Sequence, residues 1–344
     1  MKELTLMWRT RTKKMDKAFQ NKRVLITGAT GLIGSHLAER LVKEGAIVIA
    51  VGRSQEKLNK VFEKQLMEPQ FSTIVGNIAD RFPDGLTDVD YIFHAASPIS
   101  GTEIKTKPVD TISANIDGTR RCLEFLKCQE KGRMVIFSSA TVYGNQYSSD
   151  VSYDETSTDK ADALNTDNTP YSESKRMIEV ISRAYAAQYR VDSVIVRIGY
   201  VYGFIDPMPN TAFYEFIGKA ARGENITLNN SGMGRRDNIH VDDVVEGILI
   251  AAKKGECGEA YNISSNGEMN NFRAIDEIAE IIADSANEIS PTFSVRVQIK
   301  HMEGERKPGM RLNNAKIKAL GWKISVGLEE GIKDVMIKLM NRVG

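Results

Sequence analysis

The sequence predicts an α/β protein, a doubly wound parallel sheet followed by a smaller C-terminal domain. Three observations point there. Apolar runs at 24–27, 47–51, 72–75, 91–93, 134–137 and 193–197 lack strict alternation, as strands covered on both faces do. Stretches with helical spacing separate them, among them 37–42, 115–129 and 171–188. A glycine-rich turn joins the first strand to the first helix. Successive β–α–β units wind right-handed, which lays helices on both faces of one sheet.

The chain begins with a basic stretch lacking the uninterrupted apolar core of a signal peptide, and residues 1–20 read as an N-terminal arm. Met15 and Phe19 would dock one helical turn while Lys13, Lys14 and Lys17 face water. Ser54 is placed to cap the helix after the second strand. After Gly203 the rhythm breaks. A loop with two prolines spans 204–210, a helix 212–221, and a polar, glycine-containing loop at a pocket rim 229–236. Residues 239–251 and 260–263 return to the large domain. A helix over 273–286 carries Ile275, Ile278, Ile281 and Ile282 on one stripe, and a last helix spans 328–340.

With 344 residues and a formal net charge of +1, the chain can bury a large core and lacks the basic balance of a nucleic-acid binder. No apolar run reaches the roughly 18 residues of a membrane span. The cysteines, Cys122, Cys128 and Cys257, match no metal or redox spacing. They are expected to be reduced and mostly buried, in a cytoplasmic protein with no bound metal.

Gly28, Gly31 and Gly34 stand between the first strand and first helix. In that context they make a Rossmann-type dinucleotide loop. The first glycine allows the tight turn, the second lets backbone approach a pyrophosphate, and the third lets helix pack on sheet. Residues 27–34 then hold the cofactor, with Thr27, Thr30, Leu32 and Ile33 in the loop. The second strand ends in Gly52-Arg53-Ser54, without the acidic residue that pairs with a ribose 2′-hydroxyl. Arg53 there favours a 2′-phosphate, so NADP is expected ahead of NAD. Residues 21–203 with 238–265 form the dinucleotide-binding domain, and 204–237 with 266–344 the substrate-binding domain.

Ser139 follows the 134–137 strand, and Tyr171 and Lys175 lie four apart at a helix start, on one helical face. An ammonium beside a phenol lowers the phenol's pKa. Ser139 can then hold a substrate oxygen while Tyr171 exchanges its proton and hydride passes to or from a nicotinamide. A chain keeping the loop but doing no chemistry would be a dinucleotide-binding sensor; the intact trio argues against that.

Taken in order, Thr27 to Gly34, His94 to Ala96, Asn115 to Thr119, Ser138 to Gly144, Tyr171 to Lys175, Arg197 to Gly203, Arg235 to Asp243 and Gly321-Trp322 resemble the extended short-chain dehydrogenase/reductase family. The branch resembled is the NAD-dependent epimerase/dehydratase one, which acts on nucleotide sugars. The resemblance implies Ser139, Tyr171 and Lys175 as catalytic residues. It implies Asn77 and Ile78 near adenine, Ala95 and Ala96 along the cofactor, and Asn115 shaping the site. Tyr171 and Lys175 also reach the cofactor. Ser97, Ser139, Thr141, Tyr143, Tyr200, Arg236 and Arg306 are the implied contacts to a nucleotide-activated sugar, Arg236 and Arg306 on its diphosphate. A homodimer through the 115–129 and 171–188 helices is implied too.

Dehydratases of this branch carry an acid pair where Ala140 and Thr141 stand, and UDP-glucuronate decarboxylases a glutamate at the Thr141 position. Neither side chain here does carboxylate chemistry. The resemblance therefore leaves oxidation and reduction at the sugar C4, by a 4-epimerase or a 4-ketoreductase, with a decarboxylase-like enzyme as the alternative. Tyr200 departs from the asparagine frequent at its position and lacks the amide's paired donor and acceptor.

Overall fold

The computed structural model describes residues 17–98, 100–144, 150–159, 161–300 and 307–343. Seven parallel strands form the central sheet. They are β1 (Arg23–Thr27), β2 (Ile47–Gly52), β3 (Phe71–Val75), β4 (Tyr91–His94), β5 (Arg133–Ser139), β7 (Asp192–Ile198) and β11 (Ala260–Ile263). Their spatial order is β11-β7-β5-β4-β1-β2-β3. The order reverses between β1 and β4, and the crevice at such a point, beyond the strands' C-terminal ends, is where open α/β sheets take ligands.

Because neighbouring residues on a strand face opposite ways, the sheet builds two cores. Val24 and Ile26 of β1 join one cluster with Leu37 and Leu41 of α1 (Leu32–Lys43), Leu58 of α2 (Gln55–Val61) and Val244 and Ile248 of α7 (Val241–Lys254). Leu25 joins the other, with Leu123 of α4 (Pro108–Gln129) and Ile178 of α5 (Thr169–Tyr189). Each fully buried side chain of this kind contributes roughly 1.5–3 kcal/mol. That double covering explains the continuous apolar runs.

A second core lies in the C-terminal part. There α6 (Ala212–Ala221), α8 (Ile275–Ile289) and α10 (Leu328–Val343) enclose Ile217, Ile282 and Ile332. The paired strands β9 (Ile226–Leu228) and β13 (Val297–Ile299) close one side. A three-stranded sheet of β12 (Phe272–Ala274), β10 (Arg235–His240) and β8 (Tyr200–Tyr202) stands beside it. The remaining strand pair is β6 (Val151–Tyr153) with β14 (Met310–Leu312). The short helices α3 (Gly101–Thr106) and α9 (Ala315–Ala319) complete the fold. No helix among the described residues is long and apolar enough to cross a membrane.

Several expectations are corrected. The rim loop ends earlier than expected, since Arg235 and Arg236 belong to β10. That strand shows no alternating pattern because Asp237, Asn238 and His240 are buried polar residues. The helix expected from 115 starts at Pro108, where proline's missing N–H costs nothing. The helix expected from 273 starts at Ile275, after β12. Of the cysteines only Cys122 is buried; Cys128 and Cys257 are exposed. Phe19 docks as expected, packed edge-on to Tyr91 with ring centroids 5.1 Å apart, while Met15, Lys13 and Lys14 lie outside the described residues.

Candidate active site

The crevice is framed by the turns after β1 and β4. Their register pairs Thr27 with His94, and Thr27 Oγ1 hydrogen-bonds His94 Nδ1 at 2.7 Å while accepting the Ala96 amide at 3.3 Å. One threonine thus holds both turns side by side. Burial keeps His94 neutral, its pKa brought down to about 3, with the Lys175 charge acting the same way.

Gly28 has φ +64°, and a Cβ there would sit 2.7 Å from the Ala95 backbone. At Gly34 it would sit 2.5 Å from the Gly28 carbonyl oxygen. Gly31 caps α1 without a side-chain hydrogen bond. The first amides of α1, those of Leu32, Ile33 and Gly34, are therefore left for a ligand, and they favour negative charge. These residues fit a dinucleotide pyrophosphate. Thr30 packs beside Gly52 at the end of β2.

Next to it, the Arg53 side chain is 73% exposed, with its guanidinium 3.9 Å from Glu103. Ile78 is buried against Gly118 of α4. Asn77 is exposed, its side chain accepting the Ala79 amide at 3.3 Å.

Ser139 ends β5 and accepts the Thr141 amide on Oγ at 3.2 Å. Tyr171 stands in the first turn of α5, and the Ser139 and Ser97 hydroxyls are its polar neighbours. Enclosure raises the Tyr171 pKa, and those two serines only partly offset it. Lys175, one turn on, is 4% exposed, and its Nζ donates to the Phe137 carbonyl at 2.7 Å. Its Nζ is 5.6 Å from the Tyr171 ring centre. Burial brings the Lys175 pKa down to about 7, opposed by Glu179. The expected pull of Lys175 on the phenol is thus corrected. The carbonyl takes the amine, and desolvation dominates both groups.

Asn115 of α4 donates to Ser174 Oγ at 2.8 Å, and Ser174 donates to the Tyr171 carbonyl at 2.9 Å. The Asn115 Oδ1 is buried without a protein partner. Sequence reasoning missed Glu179, although an acid four residues past Lys175 on the buried face of α5 was a visible signal. Its carboxylate receives Arg197 Nε at 2.9 Å and Nη2 at 2.7 Å, and Ser138 Oγ at 2.6 Å. Two charges this deep survive because every oxygen is paired.

The same Arg197 donates to the Tyr143 hydroxyl at 2.9 Å, which donates to Asn262 Oδ1 at 2.7 Å. Tyr143, expected at the sugar, is 1% exposed and committed to this network. It is a buttress behind the site, because its hydroxyl has no free direction.

On the substrate side, Thr141 Oγ1 is buried with no protein partner. Strand β7 carries Ile198 beside Ser139, so Tyr200, two residues on, lies past the strand ends. It is 46% exposed, with the Arg236 guanidinium 5.0 Å over its ring. Arg235 points to the other face of β10, onto Phe272 at 3.9 Å and into an ion pair with Asp150. Arg306 lies outside the described residues.

Residues 24–264 match the NAD dependent epimerase/dehydratase family. The mouse dTDP-D-glucose 4,6-dehydratase is 29% identical over 323 residues, 91% of this chain and 87% of that protein. The UDP-glucuronic acid decarboxylase 3 of Arabidopsis thaliana is 29% identical over 321 residues, again 91% and 87%. Among solved structures, the UDP-glucose 4-epimerase of Thermotoga maritima superposes with TM-score 0.76 at 24% identity, covering 94% of this chain and all of the other. The UDP-glucuronic acid 4-epimerase of Bacillus cereus, in complex with UDP-glucuronic acid and NAD, gives 0.73 at 25% identity, covering 92% and 99%.

Proposed function

The chain belongs to the NAD dependent epimerase/dehydratase family, and on that premise we propose that it oxidises and reduces a nucleotide-activated sugar at C4, as a 4-epimerase. The observation that carries this reading is the Ser139, Tyr171 and Lys175 trio beside the glycine loop, with Ala140 and Thr141 in place of carboxylates. Elimination and decarboxylation lose their acid–base group at those positions. The unpartnered Thr141 hydroxyl and the adjacent Ser139 and Ser97 hydroxyls suit a sugar's oxygens.

NAD, when bound, supplies a nicotinamide ring that takes hydride from C4 and returns it. Thr27, Gly28, Gly31, Leu32, Ile33 and Gly34 hold its pyrophosphate, and Ala95 and Ala96 line it. Ser139 positions the C4 oxygen by hydrogen bonding. Tyr171, in its ionised form, accepts the hydroxyl proton as hydride leaves, then returns it when hydride comes back to the opposite face of the 4-keto sugar. Lys175, raised by Glu179 toward its charged form, steadies the phenolate that exists before the proton is taken and after it is returned. Arg236 and Tyr200 take the nucleotide-diphosphate end.

Arg53 supports a second reading. Its exposed guanidinium suits an exchanging NADPH and hence a 4-ketoreductase, although Glu103 at 3.9 Å disfavours a 2′-phosphate. Product analysis after incubation with UDP-, dTDP-, CDP- and GDP-sugars separates the two. Interconverted C4 epimers without added cofactor support the epimerase; NADPH consumed once per product supports the reductase. Absence of both reactions rejects the proposal. A homodimer through α4 and α5 is supported by exposed Val109, Ile112, Met177 and Val180 on those helices, and a solution mass of one chain would reject it.

A further inference from the structure

The three-stranded sheet carries an arrangement that the site described so far does not use. Strands β10 and β12 are antiparallel, and their register places Arg236 directly opposite Arg273. Residues opposite one another in such a pair share a face with Cβ atoms roughly 4.5–5.5 Å apart, and like charges there destabilise the sheet. Tyr200 lies on that face too, since β8 pairs it with Asn238, two residues beyond Arg236. The face therefore presents, in a row, an exposed tyrosine ring and two half-buried guanidinium groups.

Among the described residues, little neutralises this pair. Arg236 donates Nη1 to the Arg235 carbonyl at 2.9 Å and spreads over the Tyr200 ring. Arg273 has Glu277 Oε1 at 3.9 Å, beyond hydrogen-bond reach, while Glu277 Oε2 accepts the Ala274 amide at 2.8 Å as part of the α8 cap. The Arg273 Nε is buried with no hydrogen-bond partner. Two adjacent forks with donors to spare are what a pair of linked phosphoryl groups requires, because each guanidinium can meet two oxygens.

We infer that Arg273 and Arg236 form a two-arginine clamp on a diphosphate, one guanidinium to each phosphoryl group. This rests on the nucleotide-sugar reading above and adds to it a residue that motif reasoning passed over. In the helical reading of 273–286, Arg273 was one more polar helix residue; as a strand residue it acquires a cross-strand partner. The clamp makes the second phosphoryl group, rather than the base, the main determinant of nucleotide affinity.

The test uses the whole protein and titration calorimetry with UDP, dTDP, CDP and GDP and their monophosphates. Arg273→Gln should weaken the best diphosphate roughly ten- to a hundredfold, the range for a lost charged hydrogen-bond pair. Its monophosphate should weaken much less, and NAD binding should not change. Without ligand, the variant should unfold at the same temperature or higher, because a like-charge pair is relieved. Arg273→Lys should recover part of the diphosphate affinity by restoring charge without the fork. Unchanged diphosphate affinity in Arg273→Gln overturns the clamp. So does an equal loss for both phosphate forms together with a lowered unfolding temperature, which would make Arg273 a structural partner of Glu277. If the unaltered protein binds none of the four diphosphates, the nucleotide-sugar reading fails and the clamp with it.

Discussion

The floor of the crevice and its rim are built on opposite principles. On the floor, Lys175, Glu179, Arg197 and Ser138 are buried, and each is tied to named partners at 2.6–2.9 Å. At the rim, Tyr200 is half exposed and Arg236 rests on an aromatic ring and a backbone oxygen. A floor with no slack fixes the geometry of a reaction that hardly varies. A rim with unspent donors takes its final form from the ligand. On the proposed reading, chemistry belongs to the central sheet and α5, and recognition to the small sheet of the C-terminal part.

The sharpest way to break this comparison is at Tyr171. Tyr171→Phe keeps the ring and removes one hydroxyl, so turnover should fall roughly 10²–10⁴-fold while the fold and cofactor binding persist. Turnover near that of the unaltered protein would end the assignment of proton transfer to Tyr171. A smaller effect is expected at the rim. Arg236→Ala should weaken the best nucleotide sugar roughly ten- to a hundredfold and leave cofactor binding alone. An unchanged dissociation constant would remove Arg236 from the substrate site.

Arg53 tests whether the cofactor end behaves like floor or rim. Arg53→Asp should move the NADP/NAD affinity ratio toward NAD by about tenfold, through lost attraction and added repulsion. The same ratio in both proteins would show that Arg53 only faces solvent.

An effect of similar size concerns the floor's stability. His94 has its folded pKa near 3, below the ordinary 6.5, so the unfolded chain takes up a proton that the folded protein refuses. Stability is then present above pH 6.5 and lost as pH falls toward 3. His94→Gln should flatten that loss by about 1–2 kcal/mol between pH 7 and 5, measured as urea midpoints. Parallel pH curves for the two proteins would mean His94 titrates freely.

Much of this was legible in the residues. The apolar runs located the six expected central strands within two residues at each end, because strands covered on both faces are filled mainly by apolar side chains. The glycine loop was readable because Gly28 and Gly34 meet backbone at distances no Cβ tolerates. Strand β10 was not readable, since its buried Asp237 is satisfied by Ser264, Ser265 and the amides of Asn266 and Gly267, residues far along the chain. Tyr143 failed as a sugar contact for the same reason, its partners being Arg197 and Asn262.

The sequence by itself determined the doubly wound sheet and the glycine turn and supplied the proposed trio, because each depends on local spacing and backbone sterics. Tertiary structure decided what the charged and polar residues do with one another. Whether Lys175 is held near neutrality, whether Glu179 and Arg197 neutralise each other, and whether Arg273 faces Arg236 depend on burial and register. Electrostatic free energy turns on surroundings assembled from distant segments, and no spacing along the chain encodes them.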